Sequence, residues 1–144
     1  AGIETPADLA GDGVRIVAAG DAVPITTYAA QLVDNLASES GYPRDFPARY
    51  AANVASKEDN VSAIVTKVAL GEGDAGIVYV TDAKGSSDVA TIEVPDAANV
   101  LATYGGVVLK GSSDPEQARA FVAWLAGRQG QDVLGELGFL PPGP

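Results

Sequence analysis

The stretch that indicates the fold is VRIVAAGDAVPITTYAAQLV, residues 14–33. Its first six residues are short and mostly apolar, as expected of a strand covered on both faces, and Gly20-Asp21 ends it. Apolar residues then recur at helical spacing from Ile25 to Leu36, and Pro24 occupies the first helical position. The stretch therefore predicts a strand that leads directly into a helix, which is the repeating unit of α/β folds.

The rest of the chain repeats this alternation. An apolar stripe from Val61 to Val68 predicts a helix that ends at Gly71, and the capping-box spacing of residues 56–59 places its start. Further strands are predicted at residues 75–80, 89–94 and 100–110, and further helices near residues 44–50, 115–125 and 129–137. We therefore expect an α/β fold with a mostly parallel central sheet, followed by a C-terminal strand and two helices.

A glycine-rich motif, GEGDAG at residues 71–76, matches the dinucleotide-binding pattern G-x-G-x-x-G. That pattern requires a strand before it and a helix after it, whereas here a predicted helix precedes and a predicted strand follows. The glycines are therefore interpreted as a helix C-cap and the turn into the next strand.

Composition excludes several classes of function. The 144 residues contain no Cys and no His, which rules out thiol nucleophiles, Cys/His zinc sites and Ser-His-Asp triads. The formal net charge is −10 and the 9 Lys and Arg are scattered, so a nucleic-acid partner is not expected. The chain has no Met, so we expect a processed or excised piece of a longer polypeptide.

Two predicted helix starts and one tyrosine form the candidate site. Pro24 at the first helical position leaves the next amides without partners inside the helix, and the helix dipole adds partial positive charge there. A second helix start precedes Val61, and Tyr79 lies at the expected carboxyl end of a strand, where ligands gather in open α/β sheets. Neutral donors of this kind suit an ionised oxyanion held without salt bridges, although each feature alone is also common in ordinary structure.

Several motifs in this order resemble the molybdate-binding proteins of bacterial ABC importers. They are the run from Gly20-Asp21 to Tyr28-Ala29, then EDNV at 58–61, DAGIVY at 74–79 and GFLP at 138–141. The resemblance implies the type II periplasmic binding-protein fold. It also implies that the amide of Ile25, the amide of Val61 and the hydroxyl of Tyr79 bind a tetrahedral oxyanion, with Thr26, Thr27 and Asn60 as secondary candidates. No cofactor, metal or catalytic residue is implied.

The same resemblance divides the chain into two parts. Residues 1–104 would form the second ligand-binding lobe, and residues 105–144 would complete a first lobe that this sequence lacks. An apolar stripe that includes Phe121 and Leu125, with Trp124 nearby, would then be exposed, and we expect it to pack against another copy of the chain. With half of the donors, the chain alone is expected to bind an oxyanion weakly or not at all.

The leading functional hypothesis is a transport receptor that binds molybdate or tungstate and delivers it to a membrane permease. Such a receptor would be extracellular or periplasmic, tethered to the membrane or secreted. The alternative is a ligand-sensing effector domain of a transcription regulator with the same fold. An enzyme that uses the carboxylates of Glu58 and Asp59 lacks support, because adjacent helical residues do not face each other.

Overall fold

Two compact units, Ala1–Leu101 and Ala102–Pro144, make up the chain. The structure is a computed structural model that describes residues 2–142. The first unit contains a 3-10 helix, Pro6–Ala10, two strands, β1 (Ile16–Ala19) and β2 (Val54–Glu58), and four helices, α1 (Ile25–Ser38), α2 (Phe46–Ala52), α3 (Val61–Ala69) and α4 (Val80–Lys84). The second unit contains α5 (Pro115–Ala126) and α6 (Arg128–Glu136).

Parallel pairing defines the sheet of the first unit. β1 and β2 run parallel, with Ala18 opposite Lys57 and Ala19 opposite Glu58. One further parallel bridge joins Ile16 to Ala75, so the segment after α3 passes along the other side of β1. A strand–helix order with parallel pairing is the α/β class that the sequence predicts, and that prediction is confirmed.

Helices cover both faces of this small sheet. Ile16 lies in an apolar cluster with Leu36 of α1 and Phe46 of α2. Its neighbour in β1, Val17, lies in a second cluster with Ile64 of α3. Because successive strand residues point to opposite faces, this arrangement makes three layers, and a strand buried on both sides explains the apolar run of β1.

The predicted helix start at residues 56–59 is wrong. Ser56 and Lys57 belong to β2, where Ser56 pairs with Val17, and the helix begins only at Val61. The true cap is Asn60, whose Oδ1 accepts a hydrogen bond from the amide of Ala63 at 2.9 Å. The capping-box spacing predicted a helix here because a local pattern carries no information about a strand partner 39 residues earlier in the sequence.

Three predicted strands are largely absent from the described residues. Residues 75–80 contribute only the bridge at Ala75, and Val80 already begins α4. Residues 89–94 and 100–109 have no regular secondary structure, so the predicted C-terminal strand is also wrong. A strand is stabilised by hydrogen bonds to neighbouring strands, and apolar β-branched sequence alone does not supply a neighbour.

The glycine-rich motif packs where the sequence predicts a cap and a turn. Gly71 follows the end of α3 with φ of +74°, the left-handed conformation that favours glycine. A Cβ on Gly73 would collide with the side chain of Val17, and one on Gly76 would collide with that of Ile64. The glycines therefore allow the turn to pack closely against β1 and α3.

The second unit exposes much of its apolar surface. α5 begins at a cap, because Asp114 Oδ1 accepts from the amide of Gln117 at 3.0 Å. α5 and α6 are joined through Gly127. The side-chain amide of Gln131 donates through Nε2 to the carbonyl of Leu125 at 2.9 Å. The exposed large apolar residues of this unit are Tyr104, Val107, Leu109, Phe121, Trp124, Val133, Leu137 and Leu140.

Among the described residues, no helix combines the length and apolar character needed to cross a bilayer.

Candidate functional site

The two helix starts singled out by sequence lie at the same edge of the sheet. Ala19 and Glu58 are paired at the carboxyl ends of β1 and β2, and the amide of Gly20 donates to the carbonyl of Glu58 at 2.8 Å. α1 begins at Ile25 and α3 at Val61, a few residues beyond this pairing. Parallel strands deliver the chain to one edge, so both helices start beside each other there.

The first turn of α1 leaves one amide available. The amide of Thr26 donates to the carbonyl of Val23 at 3.0 Å, and that of Thr27 donates to the carbonyl of Pro24 at 3.3 Å. The Thr26 hydroxyl is also engaged, because it donates to the carbonyl of Gly20 at 2.7 Å. Within residues 2–142 the amide of Ile25, the donor that the family resemblance implies, has no hydrogen-bond acceptor.

The start of α3 offers a similar opening. Asn60 uses its side-chain oxygen to cap the amide of Ala63. No acceptor within the described part of the chain is recorded for the amides of Val61 and Ser62. A helix of nine residues therefore presents two adjacent amides, with the partial positive charge of its dipole, at the edge where α1 also begins.

Tyr79 lies beside these helix starts, just before α4. Its backbone carbonyl accepts from the amides of Asp82 and Ala83 at 3.1 and 3.2 Å, which fixes the main chain at the start of α4. Its side chain packs against the cluster formed by Val17, Ala19, Ile25 and Ile64, as the side chain of Val61 also does. The ring of Tyr28 meets the ring of Tyr79 edge to face, with centroids 6.1 Å apart and planes at 67°.

An ion-pair clasp anchors the segment that leads to Tyr79. The guanidinium of Arg15 donates to both carboxylate oxygens of Asp74 at 3.2 and 3.0 Å, and to the carbonyls of Gly71 and Glu72. The amide of Arg15 donates to the Asp74 carboxylate at 2.8 Å, and the amide of Asp74 returns to the carbonyl of Arg15 at 2.8 Å. These hydrogen bonds from Arg15 lower the pKa of Asp74, and the clasp fixes this segment alongside β1 where no regular strand forms.

Lysines pair with two carboxylates near the two helix starts. Lys57 Nζ lies 2.6 Å from Asp21 Oδ1 in the loop before α1, and its hydrogen bond lowers the pKa of the Asp21 carboxyl. Lys67 Nζ lies 2.7 Å from Glu58 Oε1, and hydrogen bonds from Lys67 and then Ser56 lower the pKa of Glu58. Asp21 and Glu58 therefore each have a positive partner within a few ångströms, whereas the exposed Asp59, directly before the cap of α3, has no ion pair among the described residues.

The structure thus brings the three principal candidates to one apolar cluster and gives some polar groups of the secondary candidates partners inside the protein. Ile25, Val61 and Tyr79 contact one apolar cluster, while assignment of their donors to a ligand stays a prediction. The amides of Thr26 and Thr27, the hydroxyl of Thr26 and the cap oxygen of Asn60 are engaged inside the protein, and a ligand role for these residues also stays a prediction. Sequence reasoning missed the Tyr28 ring and the Arg15 clasp. The signal for Tyr28 was its helical spacing of three from Ile25, whereas the Arg15 clasp spans 59 residues and leaves no local pattern.

Comparisons with known proteins bear on this geometry. A family model for bacterial extracellular solute-binding proteins matches residues 1–140. The molybdate-binding proteins ModA of Mycobacterium tuberculosis and Mycobacterium bovis are 32% identical over 141 residues, covering 97% of this chain and 49% of the relative. An Fe(3+)-binding periplasmic protein of Serratia marcescens is 31% identical over 83 residues, covering 51% of the chain and 25% of that protein.

One solved structure supports the fold independently. The substrate binding domain described for a molybdenum ABC transporter from Clostridium difficile has a TM-score of 0.69 and 20% identity, over 99% of this chain and 59% of that one. At this identity the likeness concerns the fold alone, and it confirms the predicted periplasmic-binding-protein class. The chain spans about half the length of the mycobacterial relatives it matches.

Proposed function

The chain belongs to the bacterial extracellular solute-binding protein family, and we propose that it forms a ligand-binding lobe for molybdate or tungstate. The main observation in support is that two helix starts with open amides, at Ile25 and Val61, lie at the edge where two parallel strands end. The name and 32% identity of the mycobacterial molybdate-binding proteins support the choice of ion. The family consists of binding proteins rather than enzymes, and the oxyanion is the ligand rather than a cofactor.

The proposed contacts are neutral. The amides of Ile25 and Val61 and the hydroxyl of Tyr79 donate to oxygens of a fully ionised tetrahedral anion. Charge-assisted hydrogen bonds to an anion are stronger than neutral ones, so three such donors suffice for a measurable half-site. Selectivity follows from the same chemistry: donors without acceptors favour an ion that carries no proton of its own.

A titration followed by amide NMR tests this proposal directly. Sodium molybdate or tungstate is added to the chain, with sodium chloride at matched ionic strength as the control. The amide signals of Ile25 and Val61 are expected to move together and to fit one dissociation constant. That constant should lie near the millimolar range, about 4 kcal/mol of binding free energy, because one lobe holds only part of the donor set. The sequence allowed weak or absent binding, whereas this proposal requires weak binding, so no shift at either amide at anion concentrations well above that constant contradicts it.

A ferric ligand is the competing outcome, because the Serratia relative is named for Fe(3+). No cluster of three or more acidic side chains suited to a metal ion occurs within residues 2–142, and Asp21 and Glu58 are paired with lysines. These observations support the oxyanion. Ferric citrate in the same titration is therefore expected to leave the amides of Ile25 and Val61 unchanged, and selective broadening there would favour iron instead.

In the whole protein, we propose delivery of the ion to the permease of an ABC importer from outside the cytoplasmic membrane, with the receptor tethered or secreted. The family match favours this over the transcription regulator.

Residues 105–144 would complete the other lobe, and in this chain alone the apolar surface around Phe121 and Trp124 would associate with a second copy. Sedimentation velocity is expected to show a dimer that F121S with W124S converts to monomer. A monomer at all concentrations would contradict the association.

A further inference from the structure

Tyr28 belongs to the helix that begins at Ile25, and its ring contacts Tyr79. It lies in α1 three residues after Ile25, so the two side chains share one side of the helix. Its partly buried ring contacts the ring of Tyr79 edge to face, at 6.1 Å between centroids. The ring of Tyr28 therefore links the helix that carries one proposed donor to the side chain that carries another.

The orientation of Tyr79 depends on side-chain packing more than on sheet hydrogen bonding. The parallel bridge to β1 ends at Ala75, and residues 76–79 have no regular secondary structure. From there the main chain is fixed through the Tyr79 carbonyl at the start of α4. Two side-chain torsions still decide where the phenol oxygen points, and these torsions are set by what the ring packs against.

We propose that Tyr28 is a positioning residue whose aromatic ring, rather than its hydroxyl, holds the phenol of Tyr79 toward the amide of Ile25. This inference rests on the proposed oxyanion function. Edge-to-face aromatic contacts contribute beyond simple burial, by an amount that corresponds to roughly twofold to tenfold in an equilibrium constant. Tyr28 would therefore affect anion affinity without touching the anion.

Four variants in the molybdate NMR titration separate the possibilities. Tyr28→Phe keeps the ring and should bind within about twofold of the parent chain. Tyr28→Leu keeps apolar bulk without the ring edge, and should weaken binding by roughly threefold to tenfold. Tyr79→Phe removes the proposed donor and should weaken binding by about tenfold or more. The double variant Y28L/Y79F should bind no more weakly than Y79F, because a positioning residue has nothing left to position.

The anion affinity of the double variant distinguishes a positioning role of Tyr28 from a merely structural one. If Tyr28 only stabilised the lobe, Y28L would weaken binding equally in the parent and in the Y79F background. Urea unfolding of each variant fixes the folded fraction used to correct the dissociation constants. The inference is overturned if Y28L binds like the parent, if Y28F loses as much as Y28L, or if the two losses add.

Failure of the inference is distinguishable from failure of the proposed function. If Y79F weakens binding and the amides of Ile25 and Val61 respond, the oxyanion site stands, and Y28L alone decides the role of Tyr28. If neither amide responds in the parent chain and Y79F has no effect, the site itself is wrong and the role of Tyr28 falls with it.

Discussion

Substitution of Gly76 by alanine probes the contact that holds the turn after α3 against both β1 and α3. A Cβ at Gly76 would lie 2.8 Å from the carbonyl oxygen of Val17 and closer still to the side chain of Ile64. Carbon–oxygen contacts usually lie at about 3.3–3.6 Å, so the new methyl group is roughly half an ångström too close to main chain in the central strand. A rotamer change cannot relieve that clash, because the obstructing atom belongs to β1.

The expected cost is that of overpacking a buried contact, about 2 kcal/mol of unfolding free energy. For a unit of about 100 residues this lowers Tm by roughly 10 °C. Thermal unfolding followed by circular dichroism measures it, with G135A as a control, since no atom lies within 4 Å of a Cβ at that glycine in α6. G135A should be neutral or stabilising by up to about 1 kcal/mol. A Tm of G76A within about 2 °C of the parent would refute the packing argument.

Three further predictions concern single side chains. D74N should destabilise the chain at neutral pH. Because Arg15 lowers the pKa of Asp74, the parent should lose stability as pH falls below about 4, and urea unfolding of D74N should show a flatter acid dependence. Burial raises the pKa of Tyr50 to about 12, so its neutral form contributes stability below about pH 10 that is lost on rising through pH 12. Y50F should be less sensitive to alkali by about 2 kcal/mol, and equal alkaline losses would contradict this. N60A should cost about 1 kcal/mol by removing the cap of α3, and N60D should restore most of it; urea midpoints that do not differ would count against the cap.

Local patterns predicted the parts of the fold that local chemistry controls. β1, α1 and the two C-terminal helices follow from apolar spacing, Pro24 and the Asp114 cap, and all of them are present. The errors share one cause. Ser56 to Glu58 reads locally as a capping box but forms β2, because its partner is β1. Residues 89–94 read locally as a strand, yet they have no neighbouring strand to bond with.

The candidate site shows the same division between local and distant information. Open amides after Pro24 follow from the helix start, whereas Ile25 itself was singled out only by the family resemblance. That Thr26 and Thr27 are engaged in the turn depends on loop geometry that residue types do not specify. The contact between Tyr28 and Tyr79 joins residues 51 positions apart, and only the folded chain brings them together. The ligand-binding roles predicted for Ile25, Val61 and Tyr79 came from the resemblance to molybdate-binding proteins, because local patterns alone do not assign such roles.

The net charge of −10 does not oppose the proposed anion site. Interactions between exposed charges decay within about 10 Å at moderate salt, so the groups that matter are those at the sheet edge. There Asp21 is paired with Lys57 and Glu58 with Lys67, which compensates those two carboxylates. The open amides at two helix starts add positive potential there, against the exposed carboxylate of Asp59 beside α3. A lobe can therefore be strongly acidic overall and still offer hydrogen-bond donors to an oxyanion at an edge where its amides are open.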